Sequence, residues 1–288
     1  MKKIVYFADA TCDLPASFVK QHNIQTIGLR YSIGDQEGWF TSADQAQLDE
    51  FYARMRKGDT ASTSLVLYDD AAQAFEPFFK QGCDIIHFGL SSGLAKTYEN
   101  ALHAGIDLAA KYGCRFFAPD TKCVSAMALI ALQKCFEIQS QCGKDDDAFA
   151  KIETELPLFY PTIQAYFTVE DLKYLKRSGR LSGAATFFGS LLSVKPIVTT
   201  DKDGKLATLT KKTGRLASMQ FIANQTSKRN PDFPEVFIIH ADCPADAKAL
   251  EKKVHEVDIG AKTVILNMGF IIGTHTGPGT IGLGFVGR

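Results

Sequence analysis

No apolar run in this 288-residue chain approaches the roughly 20 residues a membrane-spanning helix needs, so stable membrane insertion is not expected. Net charge is missing too: 32 basic residues balance 32 acidic ones. Binding to nucleic acid through its phosphates draws on a basic surplus, as does attraction to anionic lipid, so no nucleic-acid partner is expected. Clustered metal ligands are also absent. Cys12, Cys83, Cys114, Cys123, Cys135, Cys142 and Cys243 are scattered and odd in number, with no C-x-x-C pair or His/Cys cluster, which argues against zinc or any other metal. The apolar start Met1–Phe7 is interrupted by Asp9 and Asp13 before a signal-peptide core develops. Free thiols without an export signal point to a cytoplasmic protein. Two fingerprints are lacking as well. No G-x-G-x-x-G follows the first strand, which disfavours a nucleotide-binding Rossmann protein. The run Gly89-Leu90-Ser91-Ser92-Gly93 is not the G-x-S-x-G elbow of a serine hydrolase.

What is present is an ordinary globular composition, 45% hydrophobic and 22% charged, at a length that suits two domains. In the first half, strands alternate with helices. Ile4–Phe7, Ile24–Ile33, Trp39–Phe40, Asp84–Phe88 and Arg115–Ala118 read as strands. Helices are expected from Leu14 to about His22 with Asp13 as N-cap, from Leu48 to Lys57, from Asp69 to Lys80, up to Tyr112, and at about 124–141 and 146–157. That alternation implies βαβ units and a mainly parallel sheet, whose ligands sit beyond the carboxyl ends of the strands. The second half has another texture. Strands at 162–167, 194–200, 205–210, 236–240 and 262–267 are interleaved with helices at 170–177, 183–192, 215–228 and 245–256. Asp203-Gly204 marks a hairpin. The expected fold is α/β with two domains. Residues 1–158 form a mainly parallel α/β/α domain and 159–288 a mixed α+β domain, with a ligand between them.

Three clusters carry candidate chemistry. Near the end of the chain, Phe270-Ile271-Ile272 reads as a strand running into the turn Gly273-Thr274-His275-Thr276-Gly277-Pro278-Gly279. The glycines permit φ > 0 or close approach, and the exposed N–H groups of such a turn suit an anion. His275 is then a hydrogen-bond donor or acid/base, or else a structural imidazole. Ser91 and Ser92 stand where a parallel strand empties toward a helix, a place that favours anions and is also a common cap. Thr60, Ser62, Thr63 and Ser64 give a loop of hydroxyls, each able to donate one bond. Arg180 on a turn and Lys195 before Pro196 are basic groups able to face a cleft. Asp9 and Asp13 read as caps or weak metal ligands, and His22, His87, His103, His240 and His255 as structural.

Taken in order, these segments resemble the DegV family of bacterial fatty-acid-binding proteins. The resemblance rests on Asp9-Ala10-Thr11-Cys12-Asp13-Leu14-Pro15, Ser62-Thr63-Ser64, Leu90-Ser91-Ser92-Gly93-Leu94 with Thr97-Tyr98, Asp171-Leu172-Lys173-Tyr174-Leu175 through Gly179-Arg180-Leu181-Ser182, Lys195-Pro196-Ile197 with Asp203-Gly204, and the closing glycine turn. It implies a long-chain fatty acid in an apolar tunnel between two domains, its carboxylate at the mouth and contacted by Thr63, Ser64, Ser91, Ser92, His275 and Thr276. Arg180, Lys195 and Lys212 would lie at the mouth or face a partner. The resemblance also implies a carrier without catalytic residues of its own or any cofactor, presenting its lipid to a fatty acid kinase. The alternative is an acyl-transfer or hydrolytic enzyme using Ser91 or Ser92 with His275. This chain departs from the family pattern at Ala10, at Ala95-Lys96, at Leu65-Val66-Leu67, at Ser178, and across Thr210-Lys211-Lys212-Thr213.

Overall fold

A computed structural model describes residues 2–181 and 193–288; the helix expected at 183–192 lies outside them. The chain runs β1 (Ile4–Asp9), α1 (Ala16–Gln21), β2 (Gln25–Ile27), β3 (Leu29–Ile33), β4 (Gln36–Phe40), α2 (Gln45–Lys57), β5 (Ala61–Thr63), α3 (Tyr68–Lys80), β6 (Asp84–Phe88), α4 (Thr97–Tyr112), β7 (Phe116–Phe117), α5 (Met127–Gln141) and α6 (Asp145–Phe159). It continues with β8 (Ile163–Thr168), α7 (Leu172–Ser178), β9 (Val194–Thr200), β10 (Leu206–Thr213), α8 (Arg215–Asn224), β11 (Glu235–His240), α9 (Pro244–Val257), β12 (Lys262–Asn267), α10 (Phe270–Thr276) and β13 (Ile281–Val286).

Two compact units emerge. One comprises Met1–Tyr31, Gly38–Ser42 and Thr63–Pro161; the other comprises Ser32–Glu37, Ala43–Ser62 and Thr162–Arg288. The sequence pattern keeps 1–158 together, whereas 32–37 and 43–62 group with the second unit. The reason lies in α2. Its Tyr52 hydroxyl donates to the Met268 carbonyl at 2.7 Å, Arg56 pairs with Asp242 at 2.9 Å, and Phe51 stacks on Phe270 at 4.2 Å. Contacts so far apart in sequence leave no trace in local periodicity.

The first unit is built on a sheet of order β2-β1-β6-β7, with every neighbouring pair parallel. β1 is buried along its whole length, so both its faces must be covered. Successive side chains point to opposite faces. Tyr6 meets Phe136 of α5 at 4.9 Å and donates to Gln139, whereas Phe7 meets Phe75 of α3 at 4.9 Å. Helices therefore cover both sides, and the expected α/β/α sandwich is present. Burying one phenylalanine such as Phe75 contributes about 1.5–3 kcal/mol.

Local expectations shift in three places. The single strand expected at 24–33 is two. Gly28 separates β2, in the parallel sheet, from β3, which joins β4 and β5 in a three-stranded sheet. A β-carbon at Gly28 would sit 1.9 Å from the Trp39 indole nitrogen, so the close approach requires glycine. The polar stretch 58–64 is not all loop, because Ala61–Thr63 forms β5. Asp13 does not cap α1. Pro15 takes the cap position, while Asp13 adopts a left-handed conformation (φ 46°) and accepts from the Ser125 hydroxyl at 2.5 Å.

The second unit carries a mixed six-stranded sheet of order β10-β9-β8-β13-β11-β12. β11 and β12 run parallel, and the other pairs are antiparallel. The expected hairpin is β9–β10. At the sheet centre stands β13, a strand that the sequence pattern does not announce. Its residues Ile281–Val286 are all buried, and Gly282 fits because a β-carbon there would come 2.5 Å from Phe167 Cβ. Ile281, Leu283 and Phe285 share the core with Ile197, Ile222, Ile238, Leu250 and Val254, drawn from β9, α8, β11 and α9. No helix among the described residues is long and apolar enough to cross a membrane.

Candidate functional site

The carboxyl ends of β1 and β6 carry the polar cluster of the first unit. Asp9 ends β1 and accepts from the Thr11 amide at 2.9 Å and from the Thr11 hydroxyl, which folds residues 10–12 into a single 3-10 turn. β6 ends at Phe88. The chain then passes through Gly89 into Leu90–Gly93, and this loop is held by loop 119–125 rather than by a ladder. The Ser91 amide donates to the Cys123 carbonyl at 3.2 Å, and the Ser92 amide to Asp120 Oδ1 at 3.2 Å. Asp120 Oδ2 accepts the Ser92 hydroxyl at 2.5 Å. Ser91 is fully buried, and its oxygen accepts from the Gly93 amide at 3.2 Å.

Thr63 ends β5, and the Ser64 amide bonds to the Arg30 carbonyl at 2.9 Å. The Ser64 hydroxyl donates to backbone carbonyls, Leu65 at 3.3 Å and Arg30 at 3.5 Å. This loop connects to the start of α4. Val66 donates its amide to Thr97 Oγ1 at 3.2 Å and accepts from Asn100 at 2.8 Å. The four hydroxyl residues Thr63, Ser64, Ser91 and Ser92 thus belong to one unit, on loops that flank the start of α4.

The second unit's cluster is built differently. Phe270–Thr276 is the short helix α10, not the strand expected there, and only Gly277–Gly279 turns. The glycines are needed for close packing. A β-carbon at Gly273 would come 2.1 Å from the Tyr52 hydroxyl oxygen, and one at Gly277 2.1 Å from the Tyr174 ring. Gly277 also holds φ at +85° and Gly279 at +78°. Thr276 commits its hydroxyl within the unit, to Met268 Sδ and the Ile272 carbonyl at 3.2 Å each. His275 is half-buried. Burial first, then the positive charges of Arg180 and Arg177, push its pKa down to about 4, so the ring is neutral at pH 7.

The basic residues of this unit divide. Arg180 follows Gly179, the left-handed C-cap of α7, and its guanidinium folds back onto the Ser178 carbonyl. Lys195 and Lys212 stand directly opposite each other in the β9–β10 ladder. Like charges so placed repel unless each finds a partner. Lys195 donates to the Glu170 carbonyl at 2.5 Å, and the Lys212 ammonium lies 4.6 Å from the centre of the Phe221 ring.

Two features escape sequence reasoning. Asp120 takes up the Ser92 proton across 28 residues, with no motif to announce it. His87, read as structural, is 1% exposed, and burial pushes its pKa down to about 3. Among the described residues no group of three or more His, Cys, Asp or Glu side chains could hold a metal ion.

Comparison with known proteins gives a consistent result. The model of a family described as "Uncharacterised protein, DegV family" matches residues 3–288. A DegV domain-containing protein of Clostridium perfringens is 34% identical over 290 residues, covering 100% of this chain and 98% of its own. Among solved structures, DegV, a fatty acid binding protein from Bacillus subtilis, aligns with a TM-score of 0.80 at 24% identity, covering 100% of each chain. A stearic acid-binding protein from Eubacterium ventriosum aligns with a TM-score of 0.82 at 23% identity, covering 100% of this chain and 98% of the other.

Proposed function

The chain belongs to the DegV family, and from that premise we propose that it binds a long-chain fatty acid and presents the carboxyl group to a fatty acid kinase. The observation that carries the reading is Ser91-Ser92 beyond the carboxyl end of β6 in the parallel sheet, the edge where ligands of such sheets bind, with the Thr63-Ser64 loop meeting the start of α4 beside it. A buried carboxylate needs several hydrogen-bond donors. The proposed carboxylate contacts are Thr63, Ser64, Ser91, Ser92, Thr276 and His275, whose ring is neutral at pH 7. In the unliganded structure the hydroxyls of Ser64, Ser92 and Thr276 donate to the Leu65 carbonyl, Asp120 and the Ile272 carbonyl, bonds that a bound carboxylate would replace or share. The acyl chain supplies most of the affinity, about 0.8 kcal/mol per buried methylene. Arg180 is the proposed partner-facing charge, with Lys195 and Lys212 contributing less because the structure already occupies them.

The serine hydrolase alternative gains nothing from Ser92, whose hydroxyl faces a carboxylate and not an imidazole. The test is lipid extraction and mass spectrometry of protein purified from a bacterial host, followed by titration of delipidated protein with stearate and oleate. One acyl chain per protein is expected, with affinity lowered about ten-fold in Ser91→Ala, the effect of one lost hydrogen bond to a charged group. No bound acyl chain and no saturable binding would overturn the proposal.

A further inference from the structure

The β1–β6 ladder pairs Phe7 with His87 and Ala8 with Phe88, which brings Asp9 beside Gly89. Side chains at 7, 9 and 87 then share one face of the sheet, the face covered by α3, where the Phe75 ring lies 5.4 Å from the His87 ring. Asp9 and His87 are each 1% exposed. Asp9 satisfies Oδ1 through Thr11, but among the described residues its Oδ2 has no hydrogen-bond partner, and neither do Nδ1 and Nε2 of His87. The Leu90 backbone favours the charged carboxylate without completing a hydrogen bond to Oδ2. Buried polar atoms are nearly always bonded, so an unpartnered carboxylate oxygen and imidazole in one neighbourhood call for a partner.

Gly89 locates it. A β-carbon there would lie 2.5 Å from Asp9 Oδ2 and 3.4 Å from His87 Nε2. The two atoms therefore border the same space, and glycine keeps that space clear of a side chain.

We infer that Asp9 and His87 form an internal site for a hydroxyl oxygen, supplied by an ordered water or by the hydroxyl of a hydroxylated acyl chain. The chemistry selects this class. A carboxylate accepts, and a neutral imidazole offers one donor and one acceptor. With the ring proton on Nε2 the space presents one acceptor and one donor, and a hydroxyl, which both donates and accepts, answers both. A methylene would leave every polar atom unpaired, and a second carboxylate would face Asp9 with like charge. A cation would find two protein ligands, and no larger metal-binding group exists among the described residues. The acyl arm rests on the proposed fatty-acid binding; the water arm does not.

Two measurements test the site. The first is a crystal structure of delipidated protein at a resolution that shows ordered waters. An oxygen within hydrogen-bond distance of Asp9 Oδ2 and His87 Nε2, lost in His87→Phe, establishes the site with water as its source. The second is competition between stearate and a positional series of hydroxystearates. A preference of about ten-fold for one isomer, the worth of one buried hydrogen bond, abolished in both His87→Phe and Asp9→Asn while stearate still binds, establishes the acyl hydroxyl as its source. Using two variants guards against one that fails to fold. Neither a bridging oxygen nor any isomer preference overturns the inference. Failure to bind stearate at all counts against the fatty-acid reading alone, and the crystal structure then decides the site.

Discussion

The hydroxyl loops of the first unit and the glycine turn in the other unit have similar compositions, rich in Ser, Thr and Gly. Hydrogen bonds hold both, but only the glycine turn depends on rings packed against bare backbone. The serine loop is positioned by hydrogen bonds to carboxylates and carbonyls: Asp120 fixes Ser92, Cys123 fixes Ser91, and Asp13 takes up Ser125. The glycine turn adds ring packing to its hydrogen bonds: the Gly279 amide donates to the Ala241 carbonyl at 2.7 Å, while the aromatic rings of Tyr52 and Tyr174 press against backbone that has no β-carbon. Hydroxyls in both regions already have acceptors, Asp120 for Ser92 and the Ile272 carbonyl for Thr276. The histidines of the two units differ as well. His87 in the first unit is kept neutral by burial alone, whereas His275 is kept neutral by burial together with two guanidinium groups.

Substitution in the packed turn should produce the greatest loss. Gly277→Ala combines a positive φ with a β-carbon 2.1 Å from the Tyr174 ring, so chemical denaturation should show a loss of about 3 kcal/mol or more. Gly179→Ala shares the positive φ but meets nothing within 4 Å, and should cost only about 1 kcal/mol. Equal losses at the two positions would mean that backbone strain, not ring contact, governs the turn.

A somewhat smaller change concerns the electrostatic side. Burial raises the Asp9 pKa from 3.8 to about 6, so folding favours the protonated carboxyl. Its contribution is most favourable at low pH and is lost as pH rises through that window. Relative to Asp9→Asn, the protein should lose about 2 kcal/mol of stability between pH 4 and pH 7. Denaturation midpoints for both proteins across that range check the sign. His87 acts in the opposite direction, costing stability as pH falls from 6.5 toward its folded value of about 3.

A still smaller change separates the two imidazoles. Raising salt, or replacing Arg180 with alanine, should move the His275 pKa upward by a fraction of a unit, because the neighbouring positive charge is screened or removed. Titration of the ring followed by NMR should show no such movement for His87, whose shift comes from burial alone. Equal responses would erase the distinction drawn between the two sites.

Much of the fold is legible in the sequence. The continuous apolar runs of β1 and β6 and the helices between them announce a parallel sheet. Asp203-Gly204 announces the β9–β10 hairpin. The misses have physical causes. Phe270–Ile272 satisfies strand and helix patterns equally over three residues, and packing against Phe51 accompanies the helix. β13 is glycine-rich, so its propensity is weak, and it becomes a strand through pairing on both edges. α2 is recognisable as a helix from its apolar face, but nothing local says which unit that face joins.

Sequence alone sets which residue types stand at each strand end, because β-strand alternation and the glycine and proline positions are local properties. It also carries the family, through segments whose order and spacing survive along the chain. What each hydroxyl bonds to is settled in three dimensions, because Asp120 reaches Ser92 from another loop. The same holds for the Asp9 carboxylate and the His87 imidazole around Gly89. Strand register and burial create that pairing, and both depend on residues far apart in the chain.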